Sequence, residues 1–177
     1  MNSCCTLPVE KIASNEHLQD GECCLVTEKT DAPLKADCPV SKTPSSRVQL
    51  RTVRSLVRGE RRWQLETVQY YFCADPKCPV VYFSNNPVPY FVVDDLEVKV
   101  FAKDPSEDVP VCYCFSWTRE RIRKEILETG RSTAPVEIAR QVKAQLCSCD
   151  VKNPKGRCCL GDVNAVVKTA MTAYSRT

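Results

Sequence analysis

The chain has 177 residues, 43% of them hydrophobic, and a net charge of +3, enough for one ordinary domain or two small ones around a modest core. Its thirteen cysteines are an odd number, so disulfides cannot consume them all. A single histidine, His17, leaves Cys-His or Ser-His hydrolysis almost no material, and without a P-loop or a G-x-G-x-x-G run nucleotide chemistry has no visible site.

Residues 1–37 carry Cys4-Cys5 and Cys23-Cys24 among polar residues with no sustained periodicity, and read as a flexible, Cys-containing tail. The start lacks a basic segment followed by an apolar one, and no stretch nears the roughly 18 apolar residues of a membrane span. A soluble cytoplasmic protein without membrane insertion is expected. In a reducing compartment clustered thiols serve as metal ligands or redox groups more than as structural disulfides. Cys4, Cys5, Cys23 and Cys24 are soft ligands that suit a thiophilic ion such as Cu(I), the alternative being tail thiols that bind nothing in particular.

Between residues 38 and 109 β-formers dominate, over Val48–Val57, Arg62–Phe72, Val80–Phe83, Tyr90–Val93 and Leu96–Phe101, with Pro79, Pro87, Pro89 and Asp94-Asp95 as punctuation. A small, mainly antiparallel sheet is expected. The arginine-rich run Arg47, Arg51, Arg54, Arg58, Arg61 and Arg62 alternates with apolar residues, so it reads as the solvated face of a half-buried strand, or of a helix before Gly59, and not as a nucleic-acid site. Cys73-x4-Cys78 lies between predicted strands as a loose zinc-knuckle pair, and zinc asks for four tetrahedral ligands of this soft type.

The polar segment 103–110 marks a linker, and from 110 to 177 the chain turns helical. Trp117–Thr129 carries Ile122, Ile126 and Leu127 on one side, with Ser116 or Thr118 to cap it and Gly130 to end it. Ala134–Leu146 follows, with Ser132 or Thr133 as cap, Pro135 in its first turn, and Val136, Ala139 and Val142 facing inward. A last helix, capped by Asp162, has one apolar stripe of Val163, Val166, Val167, Ala170, Met171 and Tyr174. The fold class expected is thus α+β: an antiparallel sheet with a zinc-knuckle-like site, then a compact helical domain.

Six thiols, Cys112, Cys114, Cys147, Cys149, Cys158 and Cys159, fall in pairs at the ends of these helices. A 2Fe-2S cluster needs four thiolates gathered from about two loops, and packed helices can hold such loops together. Helix N-termini would also offer N–H donors and a positive dipole end to an anionic centre. The turn 153–157 folds Cys158 and Cys159 back toward Cys149, with Gly156 available for a positive φ. Neighbours in an extended chain point to opposite sides, so Cys158 and Cys159 are not both expected to reach one cluster.

Cys112-Tyr-Cys114-Phe and the run from Cys147 through Cys149, Asn153-Pro-Lys-Gly-Arg, Cys158-Cys159 and Leu-Gly-Asp-Val163 resemble the cluster-binding part of the CopZ-type copper chaperones, and more loosely the bacterioferritin-associated ferredoxin module. The resemblance extends upstream through Cys38-Pro-Val, Thr52-Val, Cys73-Ala-Asp-Pro-Lys-Cys78 and Val81-Tyr-Phe83, the zinc-binding half of that family. It implies Cys112, Cys114, Cys149 and Cys159 as cluster ligands, with Cys147 and Cys158 as alternates. For Zn(II) it implies Cys38, Cys73 and Cys78, but Ser41 stands where the family's Cys-Pro-x-Cys has its second cysteine. The fourth ligand is then a tail thiol, Cys23 or Cys24, or else His17 or Asp75, or the site is weak or empty.

The implied function is copper handling, in which Cu(I) is bound or delivered with redox support from the cluster. Implied partners are copper ion, a copper-transporting P-type ATPase or a separate metal-binding domain protein, and a redox partner. The alternative is a ferredoxin-like electron-transfer protein with no copper site of its own. Neither is an enzyme unless metal ions are reduced with turnover.

Overall fold

The computed structural model describes residues 32–85 and 90–176. Cys4, Cys5, His17, Cys23 and Cys24 lie outside the described residues. A five-stranded antiparallel sheet runs in sequential order through β1 (Lys35–Asp37), β2 (Pro44–Val48), β3 (Tyr70–Phe72), β4 (Val80–Ser84) and β5 (Phe91–Val92). Its register sets Lys35 opposite Ser46, Val48 opposite Tyr70, Tyr71 opposite Phe83 and Tyr82 opposite Phe91. In such a meander the β1–β2 and β3–β4 loops come out at the same end of the sheet, which brings residues 38–43 beside residues 73–79.

The two-residue period of β3 divides its side chains between two cores. Tyr70 and Phe72 join Val48, Val53, Val57, Tyr82, Phe91, Leu96 and Val100 in the larger cluster. Tyr71 turns the other way, toward Cys38, Cys73, Cys78, Val80 and Phe83, where it stacks on Phe83 with ring centroids 5.5 Å apart.

The sheet begins at Lys35, so three residues placed in the tail by the sequence form its edge strand. Val48–Val57 is not a strand. Helix α1 (Leu50–Leu56) occupies it, with Thr52, Val53 and Leu56 buried and the arginines outward, the helical option for that run. Between Arg62 and Phe72 only Tyr70–Phe72 is strand, because Gly59–Gln64 winds into a 3-10 turn. Leu96–Phe101 forms no strand either; it follows a second 3-10 turn, Val93–Asp95, where the Asp95 carboxylate accepts the Val92 N–H at 2.9 Å.

The second half opens with a short hairpin, β6 (Pro110–Cys112) and β7 (Trp117–Thr118), and then packs four helices: α2 (Arg119–Thr129), α3 (Ala134–Lys143), α4 (Cys149–Lys152) and α5 (Leu160–Tyr174). The Thr118 side chain caps α2 by accepting the Arg121 N–H, and Gly130 ends it in the left-handed region at φ 74°. Pro135 sits in the first turn of α3, which stops at Lys143 where Gln145 takes φ 58°.

Four apolar positions expected inside are outside: Leu127 is 71%, Val136 74% and Tyr174 41% exposed and Ala139 also faces solvent, while Ile122, Ile126, Ala134 and Ile138 fill the core. Asp162 is not the cap of α5 either. That helix begins three residues earlier, at Leu160, with Cys159 at its N-cap, and Asp162 instead binds Lys155 at 2.6 Å.

The two halves are joined along α1 and α4. Thr52 Oγ1 donates to the Asp150 carbonyl at 2.5 Å, Arg51 pairs with Asp150 at 3.1 Å, and the buried Tyr82 hydroxyl donates to the Pro154 carbonyl at 2.8 Å. Arg119 ties the connection down by donating to the carbonyls of Phe101, Asp104 and Ser106. No described helix is long and apolar enough to cross a membrane.

Candidate metal centres

Cys38 follows β1 directly and Cys73 follows β3, so the sheet fixes both at the end where the two hairpin loops meet. Cys78 is brought back to them by a tight turn in which Lys77 N–H donates to Asp75 Oδ1 at 2.9 Å and Cys78 N–H donates to the Asp75 carbonyl at 3.2 Å. The sulfurs of Cys38, Cys73 and Cys78 all lie within 4.8 Å of one another and all three residues are buried. Four ligands about 2.3 Å from a tetrahedral zinc stand about 3.8 Å apart. Cys38 Sγ and Cys78 Sγ are 3.9 Å apart, so this set fits the ion.

Burial pushes the Cys38 thiol up, but the N–H groups of Ser41 and Val40, the Ser41 hydroxyl and the Cys73 thiol aim at its sulfur and bring it below the ordinary cysteine value. Cys78 is raised, chiefly by burial, with the Cys73 and Cys38 thiols adding to it. Ser41 faces the same centre, its Oγ 3.5 Å from Cys73 Sγ. Lys103 lies alongside and donates to the carbonyls of Asp75 at 2.9 Å and Cys78 at 3.0 Å.

The second set spans three elements. Cys112 ends β6, Cys114 sits in the β6–β7 turn, Cys149 opens α4 and Cys159 caps α5. Their thiols form a chain: Cys114 Sγ and Cys149 Sγ are 3.7 Å apart, and the Cys159 thiol lies close enough to those of Cys149 and Cys112 to shift their titration. Ser148 N–H points at Cys114 Sγ at 3.3 Å, and the N–H groups of Phe115 and Cys114 point at Cys112. Among the described residues only the first set brings three such ligand atoms within 4.8 Å of one another, so these four sulfurs do not converge on a single ion.

Contact between neighbouring thiols splits their titration. The Cys159 thiol holds Cys112 below the ordinary cysteine value despite burial. Cys159 is raised by that same contact, and Cys114 by its bond to Cys149, both with burial adding. Cys149 gains from Cys114, yet its contact with Cys159 and burial outweigh this and push it up to about 12.

Comparison with known proteins matches the stretch that holds the first set. The pattern of a zinc binding domain, of the CopZ type, matches residues 35–97, which hold Cys38, Cys73 and Cys78. The chain carries a CopZ-type zinc-binding domain. It is 36% identical over 122 residues to the copper chaperone CopZ of Archaeoglobus fulgidus, a match covering 69% of this chain. The chain spans 57% of the length of that relative. The solved N-terminal domain of Archaeoglobus fulgidus CopZ superposes with a TM-score of 0.63 at 31% identity, covering 74% of this chain and 97% of that one.

Within the CopZ-type domain, then, Cys38, Cys73 and Cys78 meet, and Asp75 shapes the loop through its turn and its contact with Thr43. Beyond it Cys112, Cys114, Cys149 and Cys159 meet, while Cys158 is exposed and Cys147, half-buried, neighbours Cys149. Cys158 is exposed and Cys159 lies in the core, although the backbone at Cys159 is helical (φ −87°, ψ −1°) and not extended. Sequence reasoning missed Lys103, assigned to a linker, and Ser148, whose backbone matters and whose side chain gives no signal.

Proposed function

We propose that this chain is a cytoplasmic metal-handling protein that acts by binding and not by turnover, with zinc holding the sheet and a 2Fe-2S cluster in the second half. The cluster ligands are Cys112, Cys114, Cys149 and Cys159. The observation that carries this is the run of thiol contacts through Cys112, Cys159, Cys149 and Cys114, too extended for one ion and complete in cysteine. Backbone N–H groups directed at Cys112 and Cys114 favour the thiolate form that a cluster needs. When bound, the cluster supplies one electron at a time. With a copper chaperone as relative, that electron serves to keep copper as Cu(I), held on Cys4, Cys5, Cys23 and Cys24 or on a separate metal-binding domain protein, for delivery to a P-type ATPase.

Single Cys→Ala variants at the six thiols, purified anaerobically, assign the ligands. Loss of the cluster's visible absorption is expected for Cys112, Cys114, Cys149 and Cys159, and retention for Cys147 and Cys158. Cu(I) titration of the full chain tests the cargo. Tight stoichiometric binding that is lost when Cys4, Cys5, Cys23 and Cys24 become Ala supports Cu(I) on the tail thiols. An intact, reversibly reduced cluster in a protein that neither binds Cu(I) nor exchanges it with a partner would leave electron transfer as the whole function.

A further inference from the structure

The zinc centre of this chain differs at one corner from a four-cysteine site, and the geometry of that corner is specific. Ser41 is the third residue after Cys38 in the β1–β2 loop, and Lys42 behind it takes φ 58°, a left-handed turn that carries the loop over the three thiols. The Ser41 hydroxyl lies 3.5 Å from Cys73 Sγ and is steadied by the Thr43 N–H at 3.4 Å. A tetrahedral zinc with sulfur at about 2.3 Å and oxygen at about 2.0–2.2 Å has a sulfur-to-oxygen edge of about 3.5–3.6 Å and a sulfur-to-sulfur edge of about 3.8 Å. The observed 3.5 Å and 3.9 Å match one edge of each kind.

Charge agrees with an oxygen in that place. Three thiolates on a divalent ion leave one negative charge, and the Lys103 ammonium is fixed on the carbonyls of the loop that carries Cys73 and Cys78. A fourth thiolate would double the negative charge to be buried there.

We propose that Ser41 supplies the fourth vertex of the zinc centre through its neutral hydroxyl oxygen, and that this vertex is displaceable by an incoming thiolate. This rests on the reading that the three thiols hold zinc. An alcohol is a far weaker ligand for this ion than a thiolate. In the exchange the hydroxyl oxygen leaves the metal, a sulfur takes its place, and no electron moves. The site is therefore a place where zinc can be handed to, or contacted by, a sulfur donor, whether a small thiol or a cysteine of a protein.

Zinc-edge X-ray absorption on the full chain counts the donors without interference from iron. Wild type is expected to show three sulfurs and one oxygen, and S41C four sulfurs. Adding 2-mercaptoethanol should convert the wild-type shell to four sulfurs and leave S41C unchanged. Zinc transfer to a chromophoric chelator should be at least about tenfold faster from wild type than from S41C, the size typical of a change in a metal's surroundings. A separate arm uses the chain with Cys4, Cys5, Cys23 and Cys24 changed to Ala. Four sulfurs in wild type that fall to three in that variant would overturn the proposal in favour of a tail ligand. Equal transfer rates for wild type and S41C would overturn it too. A chain that takes up no zinc in either form would instead sink the zinc reading itself.

Discussion

Gly156 shows how one residue positions the second thiol set. It takes φ 64° in the turn 153–157, where Gly156 N–H donates to the Asn153 carbonyl at 2.7 Å and Asn153 Nδ2 donates to the Arg157 carbonyl at 2.6 Å. A Cβ there would stand 2.9 Å from Thr52 Oγ1 and 3.0 Å from Val48 Cγ2. Thr52 cannot yield freely, since its hydroxyl is the donor to Asp150. Gly156→Ala therefore combines left-handed strain with a collision and should cost about 2–3 kcal/mol, read as a lower urea midpoint with little change in slope. The sequence placed a positive φ at this turn as an option. It held no sign that the reason for glycine also lies 104 residues away in α1, because sterics between distant elements leave no local pattern.

At the scale of elements, the metal centre and the two hairpin loops depend on each other. The smaller core contains Cys38, Cys73, Cys78, Tyr71, Val80 and Phe83 and has little apolar material besides. Metal binding there is folding free energy for the sheet. Removing zinc with a chelator should raise amide exchange in β1–β4 while α2 and α5, packed around Ile122, Ile126, Ile138 and Val163, keep their protection. Uniform loss of protection in both halves would mean that the α1–α4 contact couples them more tightly than their separate cores suggest.

The elements themselves were unevenly legible. Helices α2, α3 and α5 announce themselves by caps, Pro135, Gly130 and apolar period, whereas Leu127 and Val136 satisfy the pattern and still face solvent, because each helix buries a narrower stripe than its sequence offers. Short elements failed: α4 has four residues and β6 three, too few for any period to register. The run Val48–Val57 fits both periods, and tertiary packing of Thr52, Val53 and Leu56 decided for helix.

For the molecule as a whole, the antiparallel sheet and the packed helices each gather thiols at one place and meet along α1 and the turn 153–157. One set is compact and the other drawn out, a difference of geometry between donor sets of the same chemistry. The grouping of Cys38 with Cys73 and Cys78 was legible because motif spacing survives in sequence; Ser41 stood out there only as a departure from Cys-Pro-x-Cys, and its approach to Cys73 appears only once the β1–β2 loop is folded. What the second set holds decides the function of the molecule. Metal and labile-sulfide analysis of the anaerobically purified chain, read with the EPR spectrum of its reduced form, is the direct test. About two irons, two sulfides and one zinc per chain with a reduced-cluster signal are expected, and a chain that holds zinc but takes up no iron after reconstitution would contradict it.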